Sequence, residues 1–278
     1  MSTHKTDILH LLHRNFFVMP TVWDSLSALA AVEAGSQAVA TSSAALGQGL
    51  GIKATERVPF DLVETALARI AASVQVPVVI DMEDGYPEVE GGVDASVRRI
   101  IAAGVSGANI EDSWHGHARP LASSEDHARR IETARKAADA ELPGFFLNGR
   151  TDLFLQDPGV EVEVTVAEAI RRGRRYAEAG ADGVYVTARG LTPEQVAELV
   201  AGIPVPLTLA AGDGQDLAQW AELGVRRASL GTVLIRNAYH AIRQHLQEIS
   251  RHHRIAPLAP VQIDAAISAG RGLAQAAE

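Results

Sequence analysis

Eight short apolar runs recur along this chain, and each is followed by a longer, Ala-rich stretch of helical character. The runs are FFVMP (16–20), QAVAT (37–41), VPVVIDME (76–83), GANIED (107–112), GFFLNGR (144–150), DGVYVT (182–187), VPLTLA (205–210) and VRRASLG (225–231). Helices are predicted near 24–34, 60–74, 93–103, 123–140, 163–179, 192–201, 214–222 and 232–250. A strand buried on both faces reads as a near-continuous apolar run, and such strands belong to parallel sheets with helical crossovers. Eight strands alternating with eight helices is the count of a (β/α)8 barrel. The fold class expected is therefore α/β, a TIM barrel.

Local punctuation agrees with that phasing. EAGSQ, AAGVSG, EAGADG and ELGVRR each place a Gly just after a helix and before a strand, as a helix C-cap requires. LTPEQ puts Thr192 at an N-cap and Pro193 in the first turn. No Pro/Ser-rich linker divides the sequence, and 278 residues is an ordinary length for one such barrel. Residues 1–278 are expected to form one domain. Residues 256–278 read as an extra C-terminal helix, docked on the barrel or on a neighbouring subunit.

Composition narrows the function classes. The net charge of −9 argues against nucleic acid, because phosphate binding wants a basic face. No apolar run approaches the roughly 18 residues that cross a bilayer, and the first 15 residues lack the apolar core of a secretion signal. A cytoplasmic location follows as the expectation, with no membrane partner. The chain has no cysteine, which removes disulfides, thiolate nucleophiles and Cys-containing zinc sites.

Chemistry concentrates where the strands end. VVIDMEDGY closes in Asp81 and Glu83, GANIED in Glu111 and Asp112, and GFFLNGRTD brings Arg150 beside them. Asp81 and Glu83, two apart on an extended run, would share a face with Cα atoms about 6.6 Å apart. Glu111 is in phase with Asn109, and Arg150 with Asn148. Carboxylates at the C-terminal mouth of a barrel suit a hard cation, Mg²⁺ above all and Mn²⁺ as the alternative, with positions left for substrate oxygens. As an alternative, the same acids could simply cap the helices that follow; three in phase on neighbouring strands opposite an Arg favour a site. TSSAALGQG leaves strand 2 with small residues, so Ser43, Ala44 and Ala45 could offer backbone N–H groups to a carboxylate. His115 and His117, in DSWHGHARP, stand over the mouth as acid/base candidates or as solvated loop residues. His10, His13, His252 and His253 read as surface.

These residues resemble the isocitrate lyase/phosphoenolpyruvate mutase superfamily, in its smaller single-barrel branch. The likeness runs from MPTVWDSLSA through TSSAALG, VPVVIDMEDGY, GVSGANIEDS, FFLNGRTD and EAGADGVYV to LGVRRASLGTVL. The resemblance implies metal-shell roles for Asp81, Glu83 and Glu111, directly or through water. It implies carboxylate binding by Ser43, Ala44, Ala45 and Arg150, with Asn148, Asp81 and Trp23 also in the substrate site. It further implies a homo-oligomer, a tetramer in which a C-terminal helix is exchanged, and a small anionic 2-oxo or 2-hydroxy acid as substrate.

Departures from the pattern bear on the reaction. The superfamily's tricarboxylate lyases carry a KKCGH-like lid whose Cys acts as acid. Here the stretch is WHGH, with His115 near the Cys position and His117 matching the motif's His. A further acid aligns with Ala54, with Glu56 as the nearest replacement, and two polar groups align with Thr187 and Ala210. The function expected is a Mg²⁺-dependent lyase that cleaves a C–C bond next to a small 2-oxo or 2-hydroxy carboxylate through an enolate. His115, His117 or Glu56 would move the proton. The rivals are a phosphonate C–P mutase or hydrolase drawing on Lys53, Arg57 and Arg119, and a barrel that binds a 2-oxo acid without turning it over.

Overall fold

The computed structural model describes residues 3–53, 56–114, 121–155, 162–188, 190–256 and 262–275. Its strands are β1 (Phe17–Met19), β2 (Thr21–Val22), β3 (Val39–Thr41), β4 (Val78–Asp81), β5 (Gly107–Glu111), β6 (Phe146–Thr151), β7 (Gly183–Val186), β8 (Leu207–Ala210) and β9 (Arg227–Ser229). All pairings are parallel, in the order β1-β9-β8-β7-β6-β5-β4-β3-β2. The two ends of that list are neighbours in sequence, so the sheet curls into a nearly closed (β/α)8 barrel. Nine segments do the work of eight strands because Pro20 splits the first. Lacking an N–H, Pro20 cannot continue the ladder. Phe17–Met19 therefore pairs with β9, and Thr21–Val22 with β3.

The helices are α1 (Thr3–Leu12), α2 (Ser25–Glu33), α3 (Ser43–Gly49), α4 (Phe60–Ser73), α5 (Gly92–Ala102), α6 (Ser124–Glu141), α7 (Val162–Glu178), α8 (Pro193–Gly202), α9 (Leu217–Glu222), α10 (Val233–His252) and α11 (Ile263–Gln275). Thr192 caps α8 through a capping box with Gln195, as LTPEQ implies. Two helices stand where none was expected, α1 and α3. The tail helix α11 lies against α2 and α4, with Ala266 and Ile267 packed on the core. Helix α10 leaves Tyr239, Ile242 and Leu246 exposed. Among the described residues no helix is long and apolar enough to cross a membrane.

The main core fills the layer between sheet and helices, and a smaller one of Leu9, Met19, Ala38, Ala40, Val79 and Phe146 closes the barrel floor. Close approach is set by Gly149 on β6. A Cβ there would lie 2.8 Å from Tyr176 Cβ and 3.0 Å from Ile131 Cδ1, so α6 and α7 seat directly on the strand.

His13 is not a surface residue. The helix α1 plugs the N-terminal end of the barrel, and His13 follows Leu9 by one turn on the same buried face. Its ring stacks on Phe146 at 3.9 Å and meets Phe17 edge-on at 4.9 Å, while Nδ1 donates to the Leu9 carbonyl at 2.7 Å. Burial, then the charge of Arg227, pushes its pKa down to about 3. The unfolded chain therefore binds a proton at this residue, below pH about 6.5, that the folded chain refuses, so stability falls as pH drops from 6.5 toward 3. The share due to His13 should reach about 2 kcal/mol at pH 5. Urea unfolding of His13→Phe at pH 7 and pH 5 measures it: the variant should lose less stability over that interval than the wild type. An identical loss in both proteins would remove His13 from the acid sensitivity.

Candidate active site at the C-terminal mouth

Register explains which side chains meet. Asp81, Asn109 and Asn148 stand on one rung across β4, β5 and β6, and Glu111, Arg150 and Tyr185 on the rung above, across β5, β6 and β7. All six are buried. The upper rung carries the site. Arg150 Nη1 lies 3.0 Å from both carboxylate oxygens of Asp81 and 3.0 Å from Glu111 Oε2. Its Nε and Nη2 grip Asp152 Oδ1 and Oδ2 at 2.8 and 3.1 Å, a bidentate fork. Burial opposes the charge of this guanidinium, but Asp152, Glu111 and Asp81 together hold its pKa well above the ordinary value.

The three predicted acids do not behave alike. Asp81 ends β4 facing the mouth, where its Oδ2 also accepts from the Ser43 N–H at 3.3 Å and Ser43 Oγ at 3.1 Å. Glu111 ends β5 with no exposure. Glu83, by contrast, is not on a strand, and its shared face with Asp81 does not exist. The strand stops at Asp81, Gly85 N–H turns back to the Met82 carbonyl at 2.9 Å, and Glu83 takes a left-handed φ of 50°. Positive φ at a non-Gly residue is strained and concentrates at functional sites. The Glu83 carboxylate meets Arg57 Nε at 3.4 Å and Tyr86 Oη at 3.4 Å. Arg57 also pairs with Asp84 and Glu88 and lies 4.1 Å over the Tyr86 ring.

The other predicted residues are distributed as follows. The stretch after β3 is the helix α3 rather than a loop, because Ser42 caps it by accepting from the Ala45 N–H at 3.4 Å. That commits Ala45 to the cap, leaves Ala44 half-buried in the first turn, and gives Ser43 to Asp81. Trp23 packs on Gly49 and lines an outer groove of about 490 Å³ with Leu26, Leu46, Leu50 and Leu62. Glu56 is exposed beside Lys53 Nζ at 3.8 Å. His115, His117, Arg119 and Ala54 lie outside the described residues.

A second layer escaped the sequence reading. Asp152 accepts from Thr187 Oγ1 at 2.7 Å and from Ser113 Oγ at 3.1 Å, in addition to Arg150. Asp112 accepts from Thr151 Oγ1 at 2.7 Å, Tyr176 Oη at 2.8 Å, Arg172 Nη1 at 2.9 Å and the Asp152 N–H at 2.9 Å. Arg130 Nη1 ties the Asp84 and Glu111 carbonyls at 3.1 and 3.2 Å. The signal for Asp152 was present in GRTD, where it follows Arg150 by two and shares its face.

A hard divalent cation fits the donor chemistry here: Asp81, Glu83 and Glu111 are buried carboxylates, with oxygen ligands only. Among the described residues no three His, Asp or Glu side chains form a ready cluster for direct ligation. The physical reason is Arg150, whose guanidinium stands between Asp81 and Glu111, while Glu83 turns to Arg57. Mg²⁺ tolerates that arrangement better than most ions, since it keeps several waters and takes one or two carboxylates directly.

Residues 8–250 match the family described as phosphoenolpyruvate phosphomutase. An uncharacterised protein of Mycobacterium tuberculosis is 33% identical over 217 residues, 78% of each chain. The structure of a candidate phosphonomutase from Burkholderia cenocepacia superposes with a TM-score of 0.83 at 32% identity, over 88% of this chain and 98% of that one. A phosphonopyruvate hydrolase, solved with oxalate and Mg²⁺, gives 0.81 at 25% identity over 98% and 96%. With its barrel, its acid-tipped strands and a match spanning nearly its whole length, this chain belongs to the phosphoenolpyruvate phosphomutase family, within the superfamily that includes 2-methylisocitrate lyase.

Proposed function

We propose that this protein is a Mg²⁺-dependent lyase that cleaves a C–C bond next to a small 2-oxo or 2-hydroxy carboxylate through an enolate. The observation that carries the reading is the convergence of Ser43 and Arg150 on one carboxylate, that of Asp81. Donors from two separate elements already grip two carboxylate oxygens together, and a substrate carboxylate presents the same pair. Mg²⁺, or Mn²⁺ in its stead, would neutralise the oxygen charge that grows as the bond breaks. Asp81 would hold it, with Glu83 and Glu111 directly or through water. Ser43 and Arg150 Nη1 would then bind the substrate carboxylate, while Asp152 keeps the other edge of the guanidinium oriented. Asn148 supports the floor beneath, and His115, His117 or Glu56 moves the proton. Thr187 is committed to Asp152 and to the Thr151 carbonyl, and Ala210 brings no polar group, which supports a small substrate.

The phosphonate rival calls for extra cations at the mouth. Arg57 is engaged by Glu83, Asp84 and Glu88, and Lys53 by Glu56, which weighs against two of that rival's three cations; the third, Arg119, lies outside the described residues. The exposed Tyr239, Ile242 and Leu246 on α10 support a homo-oligomer, with the tetramer resting on resemblance alone. The reading also takes the protein as cytoplasmic.

Calorimetry with oxalate, a planar dianion resembling the enolate of a 2-oxo acid, tests the site. Oxalate should bind only with Mg²⁺ present, and Asp81→Asn should weaken it by at least about 100-fold. Undiminished binding in that variant would sink the assignment. A product assay over small 2-oxo, 2-hydroxy and phosphono acids then separates a lyase from the C–P rival and from a barrel that only binds.

A further inference from the structure

Among the described residues, Arg227, on β9, is the largest side chain wholly removed from solvent. A buried guanidinium is costly unless a carboxylate stands beside it. Among the described residues Arg227 has none within ion-pair distance. Its Nη2 donates to Asn109 Oδ1 at 2.7 Å. Asn109 Oδ1 also accepts from Asn148 Nδ2 at 3.0 Å; in the alternative orientation of the Asn148 amide its oxygen instead accepts from Arg227 Nη1 at 2.9 Å and Nη2 at 3.1 Å. Nε makes no hydrogen bond within the described residues. Burial lowers its pKa to about 10, against the pull of Tyr185 and Asp81, so the group remains a cation at neutral pH.

Two links join this charge to the mouth. Asn109 and Asn148 share a rung with Asp81. The Tyr185 ring has Arg150 at 5.5 Å and Arg227 at 5.8 Å from its centroid, so one aromatic ring contacts both cations. Shear brings Arg227 there: the rung Glu111–Arg150–Tyr185 continues through Thr208 and meets Arg227 on the far side of the barrel. A buried charge with no carboxylate in direct contact acts at range.

We propose that Arg227 is a positioning residue that biases the mouth toward dianionic ligands, its charge lying beneath the Asp81–Asn109–Asn148 rung with no carboxylate in ion-pair contact among the described residues. The inference rests on the carboxylate site proposed above. At an effective dielectric near 20, a unit charge on the order of 10 Å from a ligand changes its affinity by about tenfold for each additional ligand charge.

Oxalate and oxamate have nearly the same shape and differ by one charge, so their affinity ratio reads the field at the site. Both are titrated with Mg²⁺ into wild type, Arg227→Gln, Arg227→Met and Arg227→Lys. The neutral variants should lose roughly tenfold more affinity for oxalate than for oxamate, and Arg227→Lys should keep the wild-type ratio at pH 7. Equal weakening of both ligands, or none, would assign Arg227 to packing alone. If neither neutral variant folds, Arg227→Lys decides. Its buried ammonium loses its proton more readily than a guanidinium, so its ratio should fall at a lower pH than the wild-type ratio does; a ratio that stays constant up to pH 9.5 in Arg227→Lys overturns the proposal. A wild type that binds neither ligand would remove the carboxylate site and this role with it, whereas binding with an unchanged ratio in the variants overturns this role alone.

Discussion

Arg150→Met is expected to destabilise the protein by about 3–5 kcal/mol, because it strands three buried carboxylates around a hole where their shared cation stood. Asp81, Glu111 and Asp152 all pair with that one guanidinium. For a chain of this size the loss amounts to a fall in Tm of roughly 10 °C. Arg150→Lys should recover little of it, since an ammonium cannot hold Asp152 through two parallel bonds while also reaching Asp81. Recognition of oxalate should vanish in both variants. Thermal unfolding with and without Mg²⁺ gives a further reading. With the guanidinium gone, Mg²⁺ should raise the Tm of Arg150→Met more than that of the wild type, as the ion takes over the task of separating like charges. A Tm within about 2 °C of wild type would mean that the acids lean on other partners.

Asp112→Ala should cost a similar amount, about 3–5 kcal/mol, for a different reason. Asp112 touches no candidate ligand. It is the common acceptor for Thr151, Arg172, Tyr176 and the Asp152 backbone, and it is fully buried. Its removal takes one of two carboxylates from Arg172, which keeps Glu168 and the Ala122 carbonyl, and leaves the Tyr176 hydroxyl without its acceptor at 2.8 Å. Asp112→Asn keeps the shape but turns a donor toward donors, so it should fall between wild type and Ala. Denaturant unfolding checks the order. Oxalate affinity should drop in parallel, because the backbone that carries Asp152, and through it Arg150, loses its anchor. Full affinity in a destabilised Asp112→Ala would uncouple the two layers.

The barrel was legible because burial on both faces writes a strand as an apolar run and a Gly closes each helix before it. Asp81, Glu111 and Arg150 were legible for the same reason, since alternation along a regular strand fixes which side chains face inward. Legibility failed where the strand stopped. Glu83 lies past the end of β4, where period-two counting no longer applies. Ser43, Ala44 and Ala45 read as the exit from a strand because small polar residues favour turns, while Ser42 as an N-cap makes the same residues a helix. His13 lies away from the strand ends and so reads as surface; only the docking of α1 under the barrel reveals otherwise. Arg227 could have been found: it precedes Ser229 by two on a strand, so one of the paired arginines had to face inward. What periodicity cannot supply is partnership across strands. That Arg150 sits between the acids, rather than beside them, depends on a register no single run records.

The division of the first strand at Pro20 bears on how the protein is made. Phe17 finds its partner in Arg227, 210 positions later in the chain, whereas Thr21 pairs with Ala40 almost at once. A chain leaving the ribosome can therefore lay down its ladders in order from β2 to β8, but the edge at β1 must wait for nearly the whole chain to emerge. Until then the growing sheet has two open margins, each able to pair with the wrong strand. Short segments at the seam, three residues in β1 and three in β9, keep those margins poor templates. The seam that completes the mouth is thus also the last joint of assembly, and the vulnerable one.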